Sequence, residues 1–225
     1  MHIALLMANT DESAFAQARP EDGAKWARLL AEVRPDWRLS VFAVKDGVFP
    51  DTLAGVDGWI ISGSPASAND PVPWVDGLMA LVRGIVGQGA PLFGACFGHQ
   101  IIARALGGSV VRNPGDFVLG LTETRYADGA LALYAAHGEQ VADLPPGARV
   151  LSGNADCPVG AFAIGDHILT TQYHPEITPD FMADLLDELK DRLPDDLLSR
   201  ARASLARPAD RAAMAGRIAA FFERA

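Results

Sequence analysis

The sequence predicts an α/β protein: a three-layer sandwich with a central, mostly parallel sheet, an added set of antiparallel strands and a helical C-terminal extension. Three observations carry this. In the N-terminal half, short and almost uninterrupted apolar runs alternate with amphipathic helical stretches, the alternation that builds parallel sheets. One such run ends at Gly94-Ala95-Cys96-Phe97-Gly98, where an amphipathic run begins, and this reads as strand, sharp turn and helix. Across residues 109–173 the texture changes to short runs separated by Gly, Pro and Asp at hairpin-like distances.

Residues 3–8 are apolar and stop at Asn9-Thr10-Asp11-Glu12, as a strand buried on both faces does. Residues 20–33 follow a Pro20-Glu21-Asp22 start and carry Ala24, Trp26, Ala27, Leu30 and Val33 at helical spacing; residues 39–44 then read as the second strand. A third strand over 56–61 runs into Ser62-Gly63-Ser64-Pro65-Ala66-Ser67, small residues that let backbone N–H groups approach a ligand. A helix over 74–86 leads through Gly87-Gln88-Gly89 into the strand that ends at Cys96. After it, Ile101, Ile102, Ala105 and Leu106 form an apolar helix face stopped by Gly107-Gly108. Residues 109–112, 131–135, 148–152, 160–164 and 167–173 read as antiparallel strands added to the sheet. Thr178 starts a helix reaching about residue 192, with Pro179 in its first turn, and Pro194 and Pro208 punctuate two further helical stretches to Ala225. The expected organisation is one unit over 1–192 with 193–225 packed on it as a helical extension.

The 225 residues are 49% hydrophobic, enough for one well-buried core. With 19 basic and 28 acidic residues the net charge is −9, and no Lys/Arg cluster exceeds a pair, so nucleic acid and anionic membrane are poor partners. The two cysteines, Cys96 and Cys157, lie outside any C-x-x-C or Cys/His ligand pattern, which argues against a disulfide framework and a structural metal and suits a reducing compartment. No apolar run nears the ~20 residues of a membrane span, and the first residues lack a basic leader, so a cytoplasmic protein is expected.

The glycines around Cys96 have the spacing of a nucleophile elbow, in which a strained turn lifts a reactive side chain to the start of a helix. There the helix dipole favours a thiolate. A cysteine nucleophile needs a base, and the base needs a group to hold its ring. His174 and Glu176, in Tyr173-His174-Pro175-Glu176, supply both, because residues i and i+2 of an extended chain face the same side. His99, three residues after Cys96 on the same helix, is the rival base, without a carboxylate near it in sequence. His2 and His167 read as structural or exposed.

Together, Gly94-Ala95-Cys96-Phe97-Gly98-His99-Gln100 and Tyr173-His174-Pro175-Glu176 closely resemble the class I glutamine amidotransferase family, whose motifs read G-x-C-x-G-x-Q and H-P-E. Ser62-Gly63-Ser64-Pro65 resembles the family's oxyanion loop, and His137-Gly138-Glu139-Gln140-Val141 its H-G-D-x-V segment, in the expected order. The likeness covers about residues 1–187 and is strongest to GMP synthase-like amidotransferase domains and their stand-alone relatives. It implies a flavodoxin-like sheet and Cys96 as nucleophile, with His174 as general base and acid and Glu176 orienting it. It further implies an oxyanion hole from the backbone N–H groups of Phe97 and of Gly63 or Ser64. Gln100 and the Ala136-His137-Gly138 segment would hold the α-amino and α-carboxylate ends of a glutamyl substrate. Glu139 stands where the family has aspartate, Ala136 where many members have serine or an aromatic residue, and Val118-Leu119-Gly120 where close relatives carry Glu-x-Gly. These differences bear on recognition of glutamine and not on the thiol chemistry.

The implied function is that of a free-standing enzyme that forms a γ-glutamyl thioester on Cys96 and releases glutamate and ammonia or an amine. It needs no cofactor and no metal. Its partners would be a small-molecule substrate and, where ammonia is passed on, a separate synthetase subunit, because the chain carries no G-x-x-x-x-G-K-[ST] phosphate loop. A γ-glutamyl peptidase and a non-catalytic interaction domain are the alternatives. An α/β-hydrolase with a cysteine elbow fits less well, because that family places its acid before its histidine.

Overall fold

A computed structural model describes residues 1–115 and 117–224. Eleven strands are present among them: β1 (His2–Leu6), β2 (Arg38–Phe42), β3 (Gly58–Ile61), β4 (Leu92–Ala95), β5 (Ser109–Arg112), β6 (Val118–Tyr126), β7 (Gly129–His137), β8 (Glu139–Asp143), β9 (Ala148–Gly153), β10 (Ala161–Ile164) and β11 (Ile168–Thr171). The helices are α1 (Ala14–Gln17), α2 (Asp22–Ala31), α3 (Pro73–Gly87), α4 (Phe97–Ala105), α5 (Pro179–Glu188), α6 (Asp195–Ser204) and α7 (Arg211–Phe222). Nine strands form one sheet in the order β2-β1-β3-β4-β11-β10-β9-β6-β7, while β5 and β8 pair separately. The strands from β2 to β11 are parallel and the remainder antiparallel. This is the mixed α/β sandwich that the alternation of apolar runs predicts.

The pleat explains why the parallel strands are apolar throughout. In β1, Ala4 and Leu6 face a core with Val75, Leu78 and Val82 of α3 and Ile101 and Ile102 of α4. Ile3 and Leu5 face the opposite side, against Trp26, Leu29 and Leu30 of α2 and Met214, Ile218 and Phe222 of α7. Both faces are covered, so neither set can be polar. A third cluster joins Leu119 and Leu121 of β6 and Tyr134 of β7 to Met182 and Leu186 of α5 and Leu197, Leu198 and Ala201 of α6. Residues 193–224 therefore contact two of the three cores; Ala225, where that extension was expected to end, lies outside the described residues.

Three local expectations change. The pattern of residues 167–173 predicts an antiparallel strand, yet β11 runs parallel to β4, with Leu169 opposite Phe93 and Thr171 opposite Ala95. Only its other neighbour, β10, is antiparallel to it. A tight β10–β11 hairpin inserted beside β4 forces this, and it brings residue 172 and its successors out at the same sheet end as Cys96. The helix expected to reach residue 192 ends at Glu188; its start is as read, with Thr178 Oγ1 accepting the Phe181 N–H at 3.2 Å. Strands β6 and β8 and the short helix α1 are not predicted by the sequence pattern. A Cβ on Gly120 of β6 would lie 2.9 Å from Ala201 Cα, so this glycine lets α6 approach the sheet.

Candidate active site

The loops after β1, β3, β4, β7 and β11 converge at one end of the sheet, where open α/β folds place ligands. Cys96 lies at the tip of the β4–α4 turn with φ 50° and ψ −106°, the one non-glycine residue at positive φ among the described residues. Such a conformation costs about 1–3 kcal/mol and persists only where its surroundings hold it. Here the Cys96 N–H donates to the Thr171 carbonyl at 2.8 Å. A Cβ on Gly94 would lie 2.5 Å from the Gly98 carbonyl, and one on Gly98 would overlap the Ile61 carbonyl oxygen. Both glycines are thus required by close backbone approach, and the elbow is built as its spacing indicates.

The segment after β11 carries His174 to the sulfur. His174 N–H donates to the Tyr134 carbonyl at 2.8 Å, and the next carbonyl, of Pro175, accepts from Arg211 Nε at 3.0 Å. Strand β7 and helix α7 therefore hold the segment from two sides. The ring Nδ1 is 2.7 Å from Glu176 Oε1, and all three side chains are buried, Cys96 at 4%, His174 at 8% and Glu176 at 4% exposure. Burial pushes His174 down, but the neighbouring Cys96 and Glu176 charges and hydrogen bonds more than reverse it, so it is held well above its ordinary 6.5. Gly63 closes the third side: a Cβ there would lie 2.6 Å from His174 Cε1 and 3.6 Å from Cys96 Cβ.

The backbone of this loop is aimed by its own side chain. Ser62 Oγ accepts the Ala8 N–H at 3.0 Å and donates to the Gly63 carbonyl at 3.1 Å. A trans peptide points its N–H opposite its C=O, so the Ser64 N–H is directed away from Ser62. Across the cleft, Phe97 is the first residue of α4, where an N–H has no acceptor within the helix.

Gln100, Ala136, His137 and Gly138 line the same cleft, which holds about 830 Å³. The Gln100 amide is already committed: Nε2 donates to the Glu139 carbonyl at 2.8 Å and to Gln172 Oε1 at 3.2 Å, using both of its hydrogens. His137 Nδ1 bonds the Glu139 carbonyl at 2.9 Å, which makes Nδ1 the protonated nitrogen. Burial first, and the nearby His174 charge, hold His137 down at about 4 against the raising effect of that bond. The Glu139 carboxylate itself accepts from Ser67 Oγ at 2.7 Å, tying this segment to the loop after β3.

The other histidines lie outside this arrangement. His99 is fully buried, with Nδ1 2.8 Å from Thr170 Oγ1 and its ring packed on Phe162, and burial lowers it to about 3. It turns into the α4 core, because the helix start at Phe97 points the third helical residue inward, and it cannot serve the thiol. His2 bridges the Gly55 carbonyl and Ser40 Oγ in the sheet. Cys157 is buried and pushed up to about 12 by burial, then by Cys96 and Asp156.

Two features escaped the sequence. Phe15, Phe117, Ile177, Phe181 and Leu185 give one flank of the cleft an apolar wall, beside Asp22 and Lys25, which pair at 3.0 Å. Gln172, fully buried, donates Nε2 to Cys96 Sγ at 3.7 Å. Its signal was present: a lone amide two residues before His174, on the same side of an extended segment. Among the described residues no group of His, Cys, Asp and Glu side chains has the arrangement of a metal site, and no helix is long and apolar enough to cross a membrane.

A family model described as glutamine amidotransferase class-I matches residues 36–187. Gamma-glutamyl peptidase 3 of Arabidopsis thaliana is 30% identical over 192 residues, spanning 78% of this chain and 72% of that protein. GMP synthase (glutamine-hydrolyzing) of Bordetella parapertussis is 34% identical over 170 residues, 68% of this chain but 31% of that enzyme. A solved glutamine amido transferase from Methylobacillus flagellatus shares the fold with a TM-score of 0.78 at 23% identity, covering 99% of this chain and 92% of that one.

Proposed function

The chain belongs to the class I glutamine amidotransferase family, and from that premise we propose that it hydrolyses the γ-amide of glutamine or a γ-glutamyl compound through Cys96, His174 and Glu176. The observation that carries the proposal is the convergence of a thiol on a strained turn at the start of α4 with an imidazole locked to a buried carboxylate at 2.7 Å. Cys96 thiolate attacks the γ-carbonyl carbon, and the oxygen takes up charge facing the N–H groups of Phe97 and of Gly63 or Ser64. Each such donor is worth about 3–4 kcal/mol in a tetrahedral transition state. His174, as imidazolium, gives its proton to the leaving amine, and the C–N bond breaks to leave a γ-glutamyl thioester on Cys96. The neutral imidazole then takes a proton from water as that water attacks the thioester, releasing glutamate. Glu176 keeps the ring oriented throughout. With both Gln100 amide hydrogens used internally, Gln100 offers a substrate its Oε1, which suits an α-ammonium; the Ala136-His137-Gly138 segment lies beside it.

A second reading, a γ-glutamyl peptidase whose leaving group is an amino acid or peptide, draws support from two observations. The peptidase relative spans most of its own length here, and the cleft, within the ~300–1,000 Å³ of small-molecule pockets, exceeds what one free amino acid fills. Residues 1–192 would form the amidotransferase-like domain and 193–225 an extension of the same body.

The test incubates the protein with glutamine and a series of γ-glutamyl amides and peptides and measures glutamate, ammonia and free amine. Cleavage of at least one substrate is expected, with Cys96→Ala reducing it by about 10³-fold or more. Undiminished cleavage by Cys96→Ala would overturn the thiol mechanism. Preference for glutamine over peptides would favour ammonia production and a synthetase partner, and the reverse would favour the peptidase.

A further inference from the structure

We infer that Gln172 is a further catalytic residue, an amide donor that holds the Cys96 sulfur in place and ties it to the glutamyl-binding side of the cleft. The inference rests on the thiol chemistry proposed above.

The orientation of the Gln172 amide is fixed by its neighbours. Gln100 Nε2 donates to the Glu139 main-chain carbonyl at 2.8 Å, and a carbonyl can only accept, so that atom is the Gln100 nitrogen. The same nitrogen lies 3.2 Å from Gln172, which must present Oε1 to it. Gln172 Nε2 is thereby left facing Cys96 Sγ at 3.7 Å. Exchanging the two ends of the Gln172 amide would set nitrogen against nitrogen on one side and oxygen against sulfur on the other. The chain of contacts runs from the Glu139 carbonyl through Gln100 and Gln172 to the sulfur, and each amide is only 0–4% exposed.

A buried amide N–H without an acceptor is costly, and a thiolate is a stronger acceptor than a thiol. The Gln172 donor is therefore matched to the attacking form of the sulfur, and it fixes where that atom sits. The backbone N–H of Gln172 donates to the Gly160 carbonyl at 2.8 Å, so the side chain swings from an anchored point. The same chain links recognition to reactivity: a ligand that settles on Gln100 tightens the amide that faces the sulfur.

Gln172→Met keeps the length of the side chain and removes the donor, whereas Gln172→Glu keeps an acceptor for Gln100 and turns a carboxylate toward the sulfur. The probe is iodoacetamide at pH 7, with alkylation of Cys96 followed by mass spectrometry and corrected with Cys96→Ala. Steady-state kinetics are measured on whichever γ-glutamyl substrate the native protein cleaves. Gln172→Met is expected to slow alkylation and lower kcat by about tenfold each, with KM changed by less than about threefold, and Gln172→Glu to slow both further. Alkylation and kcat within about twofold of native in both variants would overturn the inference. So would a rise in KM alone with unchanged alkylation, the pattern of a purely structural residue. If Cys96→Ala retains activity the thiol mechanism itself fails, an outcome separate from either of these.

Discussion

Burial by itself would strip the proton from His99, His137 and His174 alike, since each is buried and desolvation disfavours the imidazolium. It does so for His99, at about 3, and for His137, at about 4, while His174 moves the other way because it has an anion on each side. A neutral His137 beside a charged His174 avoids two like charges in one cleft. Replacing Glu176 by Gln removes one of the two anions, so His174 should lose its proton at lower pH than in the native protein. The alkaline limb of kcat/KM, where the leaving amine no longer finds a proton, is expected to move to lower pH, with kcat down by about 10–100-fold; a pH–rate profile reads both. An unmoved limb would count against His174 as the acid. The stability that this raised pKa contributes is complete below the unfolded histidine value of about 6.5 and is lost as pH climbs through the raised value, since above it both states have lost the proton.

The β4–α4 elbow is the element whose sequence signature and structure agree most closely, and the agreement has a steric cause. A Cβ on Gly94 would strike the Gly98 backbone and one on Gly98 the Ile61 carbonyl, so the spacing of glycines around Cys96 is a direct record of backbone contact. Gly94→Ala is expected to destabilise the protein by about 1–3 kcal/mol and to abolish activity, because the clash with the Gly98 backbone displaces the helix start beside Cys96. A lowered urea midpoint together with lost turnover would bear this out; a variant as stable and active as native would not. The loop after β3 was less legible. Its small residues announced a ligand-approaching backbone, but nothing in Ser62-Gly63-Ser64-Pro65 says that Gly63 packs on the His174 ring, because the two lie in segments joined only by the order of strands in the sheet.

Across the whole molecule the helices after residue 192 complete the hydrophobic core. Phe222 is 1% exposed and packs with Ile3 on the sheet face opposite α3 and α4, and Arg34 of the α2 turn pairs with Glu223. Asp210 brackets Ala132 of β7 through two hydrogen bonds of 2.8 Å, and Arg211 holds the Pro175 carbonyl between His174 and Glu176. Phe222→Ala is expected to cost about 3–5 kcal/mol. Activity and far-UV ellipticity should then be lost together at a lower urea concentration than in the native protein, whereas activity outlasting the helical signal would mark the tail as a separate unit.

The sandwich was legible in the order of the residues, because strands buried on both faces must be apolar throughout and helices covering them must be amphipathic. The turn that carries Cys96 and the pairing of His174 with Glu176 were legible too, since the elbow and the i, i+2 pair are local in the chain and their geometry follows from backbone rules. Only the tertiary structure decided what surrounds them. His99, the rival base by its spacing from Cys96, lost that place only because α4 turns it into the core. Gln172 acquired its place only when β11 was laid parallel to β4, which sets against each other an amide and a sulfur 76 positions apart in the chain. Contacts of that range depend on strand order and on the packing of helices over the sheet, and neither leaves a periodic trace in the order of the residues.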